Sequence, residues 1–199
     1  MFDYWNKIIK ETKDDLPEVR KIIKASPIFS ITAYIFLKFV YLFSKLFFRL
    51  EVEGVENLKK LDKPFLICPN HQSYIDPLIV CSAYPYSILK DSFHVGASEY
   101  FKGFFTSRLI SLLKVVPIDA DAQILKAMKA GAIGLKNGKI LNIYPEGERA
   151  FDGKLHPFKK GAAILATELD LPIVPVAIDG LHKVWARGSK DIKLAKVKI

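Results

Sequence analysis

The chain is poor in the residues that build covalent or metal-held frameworks. Its 199 residues include two cysteines, Cys68 and Cys81, which lack CxxC spacing and sit among apolar neighbours. Such cysteines behave as small buried hydrophobes, which points away from a disulfide and towards a reducing compartment. The four histidines are scattered and none belongs to an HExxH, so no metal site is read. A P-loop, a GxGxxG and a GxSxG elbow are all missing, which removes the commonest nucleotide and serine-hydrolase readings; nothing in the pattern asks for a cofactor. There is no internal repeat and no low-complexity linker. A chain of this length has room for one compact domain and a modest appendage, not for two catalytic domains.

Positive charge, by contrast, is plentiful. Lys and Arg number 30 against 21 Asp and Glu, for a formal net charge of +9. That excess favours an anionic partner such as a nucleic acid, a lipid surface or a phosphorylated substrate, without choosing among them. The aromatic residues cluster in apolar runs instead of interleaving with Lys and Arg, so no nucleic-acid partner is expected.

Residues 1–26 mix charges with scattered apolar positions and read as short surface helices. A dense apolar stretch follows from Pro27 to Leu50. It is long enough to cross a bilayer, yet a span would put Lys38 near the middle at a cost of about 2.5 to 3.5 kcal/mol. On a helix turning about 100° per residue, Lys45 and Arg49 fall within about 20° of Lys38 on either side. The three cations form one narrow stripe, with Ile35, Phe36, Phe39, Phe43, Phe47 and Phe48 over the remaining surface. That is the pattern of a helix lying in a membrane interface with Lys38, Lys45 and Arg49 at the headgroups. Residues 1–49 are therefore expected to form a membrane-association segment, peripheral or monotopic, on the cytoplasmic face. The competing reading is a helix buried against the domain behind it. A signal peptide is not indicated, since the apolar run is internal and has no convincing cleavage site.

From Leu50 onward short apolar runs alternate with amphipathic segments. Residues 65–68, 93–95, 115–118, 140–144 and 173–178 read as buried strands. A helix is expected between the third and fourth, with Asp121 as N-cap, Leu125, Met128, Ala132 and Leu135 on one face, and Gly138 at its end. Another is expected over residues 98–114, with Phe101, Phe104, Phe105, Leu109, Leu112 and Leu113 on one side. The alternation predicts an α/β domain over residues 50–199, with a largely parallel or mixed central sheet flanked by helices. The final LAKVKI is strand-like and lacks a closing turn, which leaves room for continuation in a longer protein.

Two segments carry chemistry. In the first, residues 69–77, Asp76 before Pro77 is the pattern of a helix N-cap. His71, five residues earlier in the strand-to-helix loop, can turn back to that carboxylate, which would fix its tautomer and leave the other ring nitrogen as a general base. In the second, Tyr144-Pro145-Glu146-Gly147-Glu148-Arg149 again leaves a strand, where Gly147 permits close backbone approach and Arg149 offers a planar donor fork suited to phosphate. Phe158-Lys159-Lys160-Gly161 adds two cations just before a helix, and Ile173-Val174-Pro175-Val176 is most simply a core strand.

His71-x4-Asp76, the block from Tyr144 to Arg149 and the block from Ile173 to Val176, in this order, resemble the 1-acylglycerol-3-phosphate acyltransferase family of glycerolipid acyltransferases. The resemblance spans roughly residues 50–180. It implies a glycerol-3-phosphate acyltransferase-like fold, with His71 as base, Asp76 as its partner, and Glu146, Gly147 and Arg149, with Lys160, in the acceptor site. It further implies an acyl-CoA or acyl carrier protein donor and a lysophospholipid acceptor, lysophosphatidate first. Another lyso-lipid or glycerol-3-phosphate stays open as acceptor, as does a non-catalytic lipid-binding protein of the same fold. Residues 115–119 look like a further family block, in which the arginine usual one position later is replaced by Ala120. Glu148 likewise stands where the family commonly has a small or hydroxyl residue.

Overall fold

The computed structural model describes residues 2–12, 16–98, 103–118 and 123–199. Five parallel strands form its centre: β1 Leu66–Pro69, β2 Ser92–Ala97, β3 Val115–Ile118, β4 Ile140–Asn142 and β5 Ile173–Val176, in the spatial order β3-β2-β4-β1-β5. Each expected strand is present, the fourth and fifth shorter than their apolar runs. The two edges are β3 and β5, and these are the strands that contain Pro117 and Pro175. A proline cannot donate to a ladder on both sides, so the edge is where it fits. Ile173 is accordingly exposed, which corrects the expectation of a core strand there.

Successive side chains of a strand point to opposite faces, and the sheet divides the core accordingly. Phe65, Ile67 and Ile140 point to one side, where they join Leu37 of α3 (Pro27–Phe47), Ile79 and Val80 of α4 (Asp76–Ala83) and Ile88 of α5 (Tyr86–Leu89). Leu66, Phe93 and Leu141 point to the other, against Ile9 of α1 (Phe2–Glu11), Val19 of α2 (Pro17–Ile23), Ile133 of α7 (Gln123–Lys136) and Leu165 of α8 (Gly161–Leu169). The chain also contains α6 (Phe104–Leu112) and α9 (Leu181–Val184). Within α7, Met128, Ala132 and Leu135 are buried as expected, whereas Leu125 in the first turns is partly exposed. Gly134 sits where a Cβ would come within 2.2 Å of the Phe93 ring, so only glycine lets α7 lie this close to the sheet. Asp119, Ala120, Asp121 and Phe101, and the side chains of Phe104 and Phe105, lie outside the described residues.

Helix α3 starts at a Ser26 cap, whose side chain accepts the Phe29 N–H at 3.2 Å, with Pro27 in the first turn. One face is buried through Ala33, Leu37 and Ser44, and the other leaves Ile28, Ile35, Phe39, Leu42 and Leu46 exposed. The cation stripe is divided. Lys38 turns inward, its Nζ donating to the Ser82 carbonyl at 2.9 Å between the rings of Tyr34 and Tyr41, so it docks α3 on α4 instead of standing free for headgroups. Lys45 and Arg49 stay exposed.

A buried histidine makes the domain acid-sensitive. His94 Nδ1 donates to the Leu113 carbonyl at 2.9 Å, its Nε2 faces Cys81 Sγ at 3.7 Å, and burial pushes its pKa down to about 4. An unfolded histidine titrates near about 6.5, so between the two values the unfolded chain binds a proton that the folded chain refuses. This contribution to stability is present above about 6.5 and is lost as pH falls towards about 4. Urea titrations from pH 7 to 4.5 should show the midpoint falling more steeply in the wild type than in His94→Leu, although the variant is less stable at pH 7. Parallel pH slopes would refute the assignment.

Candidate active site

The site is built where two neighbouring strands end. β1 and β4 pair with Leu66 opposite Leu141, and the same offset of 75 residues places His71 opposite Glu146 beyond the strands. There the ladder continues by other means. The His71 N–H donates to Glu146 Oε1 at 2.6 Å, and the Ala150 N–H donates to the His71 carbonyl at 2.8 Å. On the β5 side, Asn70 plays the part of a strand residue: its Nδ2 donates to the Ile178 carbonyl at 3.0 Å and its Oδ1 accepts the Ile178 N–H at 2.6 Å. The loop that carries His71 is thus tied to both neighbours.

His71 and Asp76 meet as expected, with Nδ1 2.7 Å from Asp76 Oδ2. The same oxygen accepts the Gln72 and Ser73 N–H groups at 2.6 and 2.8 Å. These bonds face back along the loop, and no helix N–H reaches the carboxylate; the helix is entered from Ile75, with Asp76 its first residue. The expected N-cap role is therefore corrected: the carboxylate closes the loop that precedes the helix. Asp76 is fully buried, and burial pushes its carboxyl above the usual range, partly offset by the bonds from His71, Ser73 and Gln72. Asp76 Oδ2 accepts from two amide N–H groups and accepts from the imidazole as well, which selects the tautomer with the proton on Nδ1 and leaves the Nε2 lone pair available as a base. Tyr144 stacks on one ring face at 4.1 Å and 27°, and 18% of the His71 side chain stays open.

Glu146, expected to bind substrate, is buried and braces two loops: Oε2 accepts the His156 N–H at 3.0 Å while Oε1 holds His71. Gly147 has φ 76°, and a Cβ there would meet the Lys159 side chain at 2.7 to 2.9 Å. Arg149 lays its guanidinium over the Tyr74 ring, 3.5 Å from the centroid, which brings it against the His71 loop. A cavity of about 150 Å³ opens among Glu146, Arg149, Phe151, His156 and Lys159. Lys159 lines it and Lys160 does not; Lys160 is exposed at the start of α8. Sequence reasoning missed Tyr74, Tyr144, Asn70 and His156 as parts of the site. The aromatic between His71 and Asp76 was the one readable signal. The partners of the others lie from 10 to 108 residues away in sequence.

A histidine oriented by a buried carboxylate therefore lies beside a small cavity bearing Arg149 and Lys159, at the carboxyl ends of a parallel sheet. Residues 49–179 match the Acyltransferase family, and the chain belongs to it. Over 156 residues it is 33% identical to the chloroplastic 1-acyl-sn-glycerol-3-phosphate acyltransferase BAT2 of Brassica napus, covering 73% of this chain and 42% of that protein. An Arabidopsis thaliana counterpart is also 33% identical, with 73% and 40% covered. The crystal structure of the 1-acyl-sn-glycerophosphate acyltransferase PlsC from Thermotoga maritima superposes with TM-score 0.61 at 26% identity, covering 90% of this chain and 65% of that one. The chain thus spans about two fifths of the plant proteins' length.

Asp76→Asn tests the dyad. Its amide nitrogen would occupy a buried position where Oδ1 now has no partner among the described residues, or would face the Gln72 and Ser73 amides. A loss of about 1 to 3 kcal/mol in stability is expected in chemical denaturation, together with a large fall in turnover. His71→Ala should lose about 10²- to 10⁴-fold in rate, with a lower melting temperature because the buried Asp76 loses one of its partners. Wild-type turnover in either purified variant would exclude the dyad as the catalytic pair.

Proposed function

We propose that this chain transfers a fatty acyl group from acyl-CoA or acyl carrier protein to the free hydroxyl of lysophosphatidate, at the cytoplasmic face of a membrane. The observation that carries the reading is the His71 Nδ1–Asp76 Oδ2 contact of 2.7 Å beside the Arg149 and Lys159 cavity. His71 Nε2 takes the hydroxyl proton as the acceptor oxygen attacks the thioester carbonyl, and Asp76 stabilises the imidazolium. As the tetrahedral intermediate collapses the C–S bond breaks, and the imidazolium returns its proton to the departing thiolate. The acceptor phosphate is held by Arg149, stacked on Tyr74, with Lys159 taking the part first given to Lys160.

A second reading has glycerol-3-phosphate or another lyso-lipid as acceptor. A cavity of about 150 Å³ is of a size for a phosphate headgroup, which all of these acceptors except a phosphate-free lyso-lipid share. Mass spectrometry of products, with both donor types and several acceptors offered to the purified protein, decides among them. Lysophosphatidate turnover should exceed that of a phosphate-free lyso-acceptor.

Arg149→Lys keeps the charge but loses both the planar fork and the ring stack, so acceptor KM should rise with donor KM unchanged, and Arg149→Ala should lose more of kcat/KM. If both substrates suffer equally and thermal stability falls with them, Arg149 braces the loop and does not bind phosphate. Membrane association rests on the exposed apolar face of α3 with Lys45 and Arg49 beside it. Replacing these two cations by Gln should weaken binding to anionic vesicles by about 1 kcal/mol each, read by vesicle sedimentation at low salt. Equal partitioning of variant and wild type would remove the headgroup contact.

A further inference from the structure

The turn that closes the cavity presents a surface that acyl transfer itself does not require. Within residues 151–160, Phe151, Leu155 and Phe158 are 66%, 65% and 59% exposed. Large apolar side chains concentrated this way on a surface mark a contact site. Lys154, Lys159 and Lys160 are interleaved with them, and the one carboxylate of the stretch, Asp152, is engaged by His156 Nε2 at 2.8 Å and by the Lys154 N–H at 3.0 Å. The neck of the turn is fixed: the His156 N–H donates to Glu146 Oε2, and the Lys159 N–H to the Pro145 carbonyl at 2.7 Å. The apolar side chains are therefore displayed from an anchored base.

Position supplies the second argument. The turn follows β4, so it lies at the carboxyl edge of the sheet. Helix α3 runs back to that same edge. Tyr34 contacts Tyr86 and Lys38 contacts Ser82, so α3 is antiparallel to α4, and its last turns, with Lys45, approach the Asp76 end.

We infer that the turn formed by residues 151–160 is a second lipid contact: Phe151, Leu155 and Phe158 enter the headgroup region of an anionic bilayer while Lys154 and Lys160 meet its phosphates. Apolar tips ringed by cations are the composition that binds such an interface. On the reading of the cavity as an acceptor site, this seats its mouth on the bilayer. The acceptor's headgroup then enters the cavity while its tail stays in lipid.

The test uses the full chain with an environment-sensitive dye on Leu155→Cys, and separately on Leu42→Cys of α3 as a report of helix insertion, with labelled wild type as blank. With vesicles of phosphatidylcholine and phosphatidylglycerol, the dye at position 155 should shift to the blue and be quenched by lipid-borne quenchers. An aqueous spectrum at position 155, whether or not position 42 enters the bilayer, overturns the inference and leaves the turn facing solvent or another part of a longer chain. Kinetics give an independent arm. Leu155→Ser with Phe158→Ser should raise KM for a vesicle-borne lyso-acceptor about tenfold or more, with little change for a short-chain acceptor dissolved as monomers. Equal effects on both acceptors would count against insertion. Failure of acyl transfer altogether would leave the dye result standing.

Discussion

The fully buried carboxylate of Asp76 is the constraint around which the site is organised. A charge without solvent needs partners, and Asp76 draws them from its own loop: two successive backbone amides and the imidazole of His71 converge on Oδ2. Satisfying that oxygen wraps residues 71–76 into one conformation, starts α4 in a fixed direction and orients the ring of His71. The geometry of the candidate dyad and the local fold are thus the same set of hydrogen bonds. An exposed carboxylate would orient the imidazole only loosely, because water would compete for both partners.

The loop would still wander without the sheet behind it. Parallel pairing of β1 with β4 and β5 places the ends of three strands side by side, and polar side chains then continue the ladder past the last strand residue. Glu146 and Asn70 do with side-chain oxygens and nitrogens what the backbone does within the strands. Both are in a position to resist displacement of His71, since breaking either leaves a buried polar group without its partner. This explains why a buried glutamate stands in a segment that otherwise faces the cavity.

Much of this was legible beforehand, and what was hidden has a common cause. Strand and helix order follow from periodicity, and the His71–Asp76 pair is local, five residues apart. The bracing part of Glu146 is hidden in the sequence because its partners, the amides of His71 and His156, reveal themselves only once the β1–β4 register is known. Lys38 was counted with Lys45 and Arg49 because a helical projection shows angle and not neighbours; the tyrosines flanking it and the Ser82 carbonyl turn it inward. Lys160 was preferred to Lys159 on the same grounds. Adjacent residues differ by about 100° of rotation, and only the packed turn shows which one faces the cavity.

The departure at Glu148 raises an electrostatic question that the structure answers locally. A carboxylate one residue from Arg149 would repel a phosphate dianion and compete with it for the guanidinium, which is why a small or hydroxyl side chain suits that position better. Here Arg187, from the segment after α9, donates through Nη1 to Glu148 Oε2 at 2.8 Å and to the Arg149 carbonyl at 3.1 Å. The first bond offsets the charge of Glu148, and the second holds the backbone of Arg149. The pair is exposed, so its value lies less in stability than in where the negative charge points. Glu148 still lines the cavity, but its carboxylate is engaged by Arg187, while Arg149 is stacked on Tyr74 and Lys159 lines the same cavity. On the proposed reading of the cavity, two arginines would serve one site in different ways, Arg149 by meeting the acceptor and Arg187 by engaging a competitor for it.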